Sequence, residues 1–248
     1  MSAVYILWLR QIKRYYRSRA RIIGSIGQPI LFLLALGFGF GPVYQRAGGG
    51  NYMQFLAPGV VSMGILFLGV FSGIEIIWDR QFGFLKETLV APVSRLQIVL
   101  GRILGGATVA MIQGFLVLLI CFIAGFRMER IARLPLAMIF MFLIAVLCTS
   151  IGTAVASVLE DIQGFQLIIN FLVMPLFFFS NALFPVAGVP RALQLIVQFN
   201  PLSYGIDGVR GALTHGFHFG LAADFGVLGL MTAGLVGLGS YLFSRIQL

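Results

Sequence analysis

Six stretches of this chain, each of 20 residues or more, contain no charged side chain. They lie between Arg21 and Arg46, Arg46 and Glu75, Arg102 and Arg127, Arg133 and Glu160, Asp161 and Arg191, and Asp224 and Arg245. A helix needs about 20 mostly apolar residues to cross the hydrocarbon core, so the spacing predicts six transmembrane helices. Barrel strands would alternate apolar and polar residues, whereas these runs are apolar on every side. Only 10% of the 248 residues are charged and the mean hydropathy is +1.00, too little polar surface for a soluble enzyme or a disordered chain. The expected fold is all-α: one polytopic membrane domain over residues 1–248, with no soluble second domain.

The basic residues set the expected orientation. Arg10, Lys13, Arg14, Arg17, Arg19 and Arg21 precede the first span, Arg80, Lys86, Arg95 and Arg102 follow the second, and Arg245 is near the end. These are 11 of the 17 Lys and Arg residues, and the positive-inside tendency places them in the cytoplasm. Both termini are then expected in the cytoplasm, and the membrane is expected to be a plasma membrane, the inner membrane of a bacterium. The net charge of +9 is expected to face lipid headgroups, with no role in nucleic-acid binding. Tyr44, Tyr52, Trp78, Tyr204 and Tyr241 fall near predicted span ends, where amphipathic rings settle at the headgroups. Cys121 and Cys148 lie inside spans and are expected as buried small hydrophobes.

Three segments are not spans. Before the first one, basic residues recur at helical spacing opposite Tyr5, Trp8, Ile12 and Tyr15, predicting an amphipathic helix over 1–21 in the headgroup plane. Between the second and third spans runs DRQFGFLKETLVAPVSRLQIVLGR. Phe82, Leu85 and Leu89 give its short helix an apolar stripe that needs cover, from a cytoplasmic partner or from the interfacial helix. Pro92 ends that helix, and Ser94 with Gln97 makes a capping pattern for the third span. Between the fifth and sixth spans, residues 185–220 are apolar but broken by Pro185, Pro190 and Pro201. Asn200 before Pro201 reads as an N-cap with proline at the first helical position. Short re-entrant helices on the outer side are expected here, with Asp207 and Arg210 one turn apart and able to pair.

The chemistry that is missing narrows the function. There is no G-x-x-x-x-G-K-[S/T] loop to cradle ATP phosphates, no H-E-x-x-H and no G-x-S-x-G. His215 and His218 have no third ligand nearby for a metal. The spans contain no ionisable proton relay. Glu75 and Asp79, i and i+4 near the cytoplasmic end of the second span, are expected to pair with Arg80, Lys86 or the basic helix. Glu160 and Asp161 are expected as helix caps. Gly37 with Gly41, Gly69 with Gly73 and Gly101 with Gly105 are candidate helix contacts. No catalytic, cofactor-binding or metal-binding residue is predicted.

These features together resemble the permease subunits of type-2 ATP-binding-cassette (ABC-2) exporters, the group that includes daunorubicin-resistance-type drug and lipid exporters. The resemblance spans the chain and rests on DRQFGFLKETLVAPVSRLQIVLGR and NPLSYGIDGVRGAL, with Gln81 standing where members often carry an acid. It implies a non-catalytic subunit that pairs with a second permease and binds two cytoplasmic ATPase subunits, which hold the ATP and Mg. It implies a coupling loop over 79–94 with Asp79, Arg80, Phe82, Gly83, Leu85, Lys86, Glu87 and Leu89, and a connector helix carrying Arg10, Lys13, Arg14 and Arg17. It implies an outer re-entrant segment with Asn200, Pro201, Tyr204, Asp207 and Arg210. Phe171, Phe177, Phe178 and Phe179 lie on a span that the resemblance puts near the dimer axis, so the expected cargo is apolar or amphiphilic. A secondary transporter or channel, and a membrane-embedded enzyme or anchor subunit, remain the alternatives.

Overall fold

The computed structural model describes residues 2–46, 50–186, 190–214 and 216–246, and every regular element among them is helical. His215 lies outside the described residues. Helix α1 (Ala3–Arg17) is capped by Ser2, whose hydroxyl accepts from the Tyr5 amide, and breaks at Ser18. Helix α2 (Arg19–Phe32) begins at once, loosens into π winding over Leu33–Phe40, and runs on as α3 (Gly41–Arg46). The interfacial helix therefore ends four residues before the expected boundary at 21, and Arg21 belongs to the first span.

Helix α4 (Tyr52–Phe71) starts under an Asn51 cap and is buried along nearly its whole length. After a turn at Ser72 and Gly73 it continues as α5 (Ile74–Gln81). Gly83, at φ +80, reverses the chain into α6 (Phe84–Val90), a conformation open to glycine at little cost. Ser94 then accepts from the Gln97 amide at 3.3 Å and opens α7 (Arg95–Ile123), as the capping pattern predicted. A short 3-10 turn leads into α8 (Leu134–Val158), which is followed by α9 (Ile162–Phe178) under an Asp161 cap. Helix α10 (Arg191–Phe199), α11 (Pro201–Leu213) and α12 (Leu221–Ser244) complete the chain.

Five of these units are long and apolar enough to cross a membrane: Arg19–Arg46, Tyr52–Gln81, Arg95–Ile123, Ile131–Val158 and Leu221–Ser244. The chain is a polytopic membrane protein. The expected fifth span is the exception among six, because its regular helix has 17 residues, about 25 Å at 1.5 Å per residue. Pro175 removes one amide from the ladder near its end, and Asn181 takes a positive φ of 60 shortly afterwards. An interval free of charge does not guarantee an unbroken helix of the same length.

Helix α4 is central and packs on α2, α7, α8, α9 and α11. Two of the three glycine pairs make the close contacts expected of them. A methyl on Gly101 would meet Leu7 Cβ at 2.9 Å and one on Gly105 would meet Gln11 Cγ at 2.7 Å, so α1 lies directly on the start of α7. Gly69 sits against Cys148 and Thr149, and Gly73 against the Gly152 carbonyl, which brings the backbones of α4 and α8 together. In the third pair only Gly37 has a neighbour, Met53, while Gly41 faces open space. Both cysteines are buried and unpaired.

Candidate functional site

The ends of α1, α2, α5 and α7 meet in one cluster of charges. Asp79 accepts from Arg10 Nη2 at 2.9 Å and from Arg102 Nη2 at 2.6 Å. Glu75 pairs with Arg21 at 2.8 Å and with Arg14 at 3.6 Å. Both carboxylates are buried, as is Arg102. The pairing expected with the basic helix is therefore present. Of the other expected partners, Arg80 goes instead to Glu160 at 3.7 Å and to the Leu159 carbonyl, and Lys86 is exposed. Arg21 was among the basic residues expected to pair, whereas Arg102, which closes the cluster, carried no local signal, lying 23 residues from its carboxylate.

The same cluster reaches α6. Arg14 lies over the Trp78 ring, 5.3 Å from its centroid, and Arg10 lies 5.8 Å from that of Phe84. Deeper in, the Tyr15 hydroxyl donates to Gln113 at 3.1 Å, and burial raises the Tyr15 phenol above its ordinary pKa. Helices α1 and α6 thus contact a cluster that joins the basic ends of three spans.

The exposed surface of α6 differs from the predicted stripe. Leu85 is 0% exposed within this chain, and Leu89 is half-buried against the same core. The apolar groups left open are Phe82 at 74%, Phe84 at 52% and Val90 at 84%, with Lys86 and Glu87 beside them. The expected stripe is not one helix face, because Phe82 precedes the Gly83 reversal and lies outside α6; Leu85 and Leu89 turn inward. Asp79 and Arg80, also expected there, both make contacts within the chain.

At the opposite end, Asn200 caps α11 through the Leu202 amide, with Pro201 in the first turn. Its Nδ2 also donates to the carbonyls of Leu176 at 2.7 Å and Phe179 at 3.0 Å, holding the end of α9. Tyr204 donates to the Gln198 carbonyl. Asp207 and Arg210 form no ion pair with each other, contrary to expectation. Asp207 accepts from the amides of His218 and Phe219 at 2.7 and 2.9 Å. Arg210 donates to the Asn181 carbonyl at 2.7 Å and stacks 4.0 Å from the Phe55 centroid. Buried backbone groups left by the irregular loops on either side take both side chains, because leaving such groups unpaired is expensive. Helix α11 fits so closely because Gly205 and Gly208 face Ile144 and Phe140 of α8, a glycine spacing the sequence reading did not single out.

Asp224, in the first turn of α12, is fully buried, and among the described residues no N–H donor reaches its carboxylate oxygens. Its neighbour is the Asp207 carboxylate. An amide at this position would supply an N–H toward Asp207. Asp224→Asn should therefore raise the melting temperature of the purified protein, by about 2–4 °C for each kcal/mol gained in a chain of this size. A fall in a detergent unfolding assay would contradict that geometry.

The candidate pathway residues separate. Phe165, Ile169, Val173 and Phe177 form the one buried stripe of α9, and Phe177 meets Phe32 edge-on at 6.0 Å. Phe177 is therefore packing rather than open wall. Phe171 is 82% exposed, Phe178 is exposed and Phe179 is half-buried. Among the described residues, no three His, Cys, Asp or Glu side chains gather as a metal site.

Comparison with known proteins agrees with this arrangement. The family profile described as ABC-2 type transporter matches residues 2–214. Protein ycf38 of Cyanophora paradoxa, named as a transport permease, is 30% identical over 222 residues, which cover 87% of this chain and 75% of that one. Nodulation protein J of Rhizobium leguminosarum bv. viciae is 27% identical over 212 residues, covering 82% and 80%. DrrC of Mycobacterium tuberculosis, named for doxorubicin resistance as an ABC transporter permease, is 27% identical over 210 residues, covering 82% and 73%.

Proposed function

This chain belongs to the ABC-2 type transporter family as a non-catalytic permease subunit, and we propose that it exports an apolar or amphiphilic compound from the cytoplasm or inner leaflet. Permeases of this family work with ATPase subunits. In our reading two separate cytoplasmic ATPase subunits drive the movement, binding the ATP and Mg, and the permease acts as a pair with a second copy or a homologous chain. The observation that carries this reading is the ion cluster of Glu75 and Asp79 with four arginines. It joins an exposed cytoplasmic helix to the ends of the spans, as force transmission from a partner requires.

Six crossings fit this reading better than five. Gln81 donates to the Glu160 carbonyl at the basic end, and Tyr52 donates to the Leu183 carbonyl at the other. Residues 160–183 thus run between the two ends of the same long unit, Tyr52–Gln81. Both termini then lie on the basic, cytoplasmic side of a plasma membrane, consistent with a bacterial inner membrane. Export of a drug-like cargo is supported by the relative named for doxorubicin resistance and by the apolar outer face of α9.

Purified alone, the chain should hydrolyse no ATP, because it has no phosphate-cradling loop. Vanadate-sensitive hydrolysis by the homogeneous permease would contradict this. The cargo is tested in vesicles holding permease and ATPase, offered a lipophilic drug or lipid and, separately, a lipid-linked glycan. ATP-dependent movement of the first is expected; movement of the glycan alone would overturn the substrate class.

A further inference from the structure

Three hollows adjoin along the inner edge of α1, α2, α4 and α5. The outermost, about 580 Å³, is lined by Arg10, Lys13, Arg14, Arg17, Trp78 and Phe82 among others. The next, about 370 Å³, shares Arg14 and Trp78 with it and adds Ser18, Arg21 and Phe71. The third, about 360 Å³, shares Arg21 and Phe71 with the second and continues past Gly24, Met63 and Phe67. One groove therefore runs from a basic mouth at the headgroup level to an apolar floor between the first two spans. We infer that this groove binds a phospholipid with an anionic phosphate head, its head at Arg14 and Arg17 and one acyl chain along Phe71, Phe67 and Gly24.

Charge complementarity points to that occupant. Four arginines share only two carboxylates in the cluster, and Lys13 and Arg17 have no ion-pair partner among the described residues. Arg14 is held loosely, 3.6 Å from Glu75 and 38% exposed, so its remaining donors are free to turn to a phosphate. Guanidinium groups bind phosphate oxygens in a planar fork, which favours this head over a neutral one. The apolar part has length as well as volume. From Arg21 to Pro29, helix α2 rises about 12 Å at 1.5 Å per residue, enough for the upper half of an acyl chain. Gly24 faces open space, with nothing within 4 Å of where its Cβ would be. The assignment concerns binding and stands separately from what the protein exports.

Trp78 reports on the site, because it lines both basic hollows. The full chain carrying Trp8→Phe, which leaves Trp78 as the single tryptophan, is placed in phosphatidylcholine nanodiscs with rising fractions of acyl-brominated lipid. Brominated phosphatidylglycerol should half-quench Trp78 at an about tenfold lower fraction than brominated phosphatidylcholine, because cations at the membrane surface favour an anionic head. Arg14→Gln with Arg17→Gln should abolish the preference, and Arg14→Lys with Arg17→Lys should keep most of it. Gly24→Leu fills the apolar part without changing any charge and should also remove the preference. Equal quenching by both lipids, or a preference that survives Gly24→Leu, would overturn the groove and leave only surface attraction. Relief of quenching by sn-glycerol 3-phosphate would overturn it in favour of a site for the free head.

Discussion

Asp79→Leu should be the most damaging single change at the basic end, costing about 3–5 kcal/mol, the range for leaving a buried charge without its partner. The carboxylate holds Arg102, whose side chain is 4% exposed and whose Nε and Nη1 already lack partners. Water cannot reach the guanidinium to replace what is lost. A drop of roughly 10 °C in thermal unfolding in detergent is the expected readout, at about 2–4 °C per kcal/mol. Glu75→Gln should cost far less, because Arg14 and Arg21 are 38% and 26% exposed and can be resolvated, as at ordinary surface pairs. Asp79→Leu combined with Arg102→Leu should recover much of the loss, since an apolar replacement of a whole buried pair is often tolerated. Equal losses for Asp79→Leu and Glu75→Gln would show that the cluster is more wetted than its burial indicates.

The second large effect separates the two faces of α6. Phe84→Asp and Val90→Asp alter exposed side chains and leave the core intact, so the protein should insert, purify and unfold as the wild type does. Binding of the ATPase should nevertheless weaken, by about 2 kcal/mol or more for each anchor removed, roughly thirty-fold in affinity. ATP-driven transport should fall with it. Leu85→Asp should fail differently: it buries a charge inside this chain, and loss of folded protein should precede any effect on assembly. The pair of outcomes distinguishes a docking surface from a structural stripe.

These two changes also mark where sequence reading succeeds and stops. Charge-free intervals and the Ser94 and Asn200 caps were legible because each depends on residues within a turn or two, or on the constant thickness of the bilayer. The segment between the second and third spans was legible as a break between them, but not which of its apolar groups face out. Phe82, Leu85 and Leu89 have the spacing of one helix face, yet Gly83 breaks the chain between Phe82 and α6, and Leu85 and Leu89 alone share a face, whose rotation is set by what α5 and the core offer it. Arg102 looked like the start of a span and proved to be the partner of a carboxylate in the helix before α6. Asp207 and Arg210 looked like a local pair, and distant backbone groups claimed each. Gly152 and Gly208 had no legible role, because a glycine contact is defined by the backbone or ring that arrives from another helix. In each case the deciding interaction crosses between helices far apart in sequence.

Site-specific crosslinking in the assembled transporter tests the coupling claim most directly. A single cysteine at position 84 or 90, in a chain with Cys121 and Cys148 replaced by alanine, is treated with a short bifunctional reagent in membranes that contain the ATPase subunit. The account predicts a permease–ATPase product from both positions, with none from a cysteine at position 85. Absence of product from positions 84 and 90 in a transporter that still moves its cargo would contradict it.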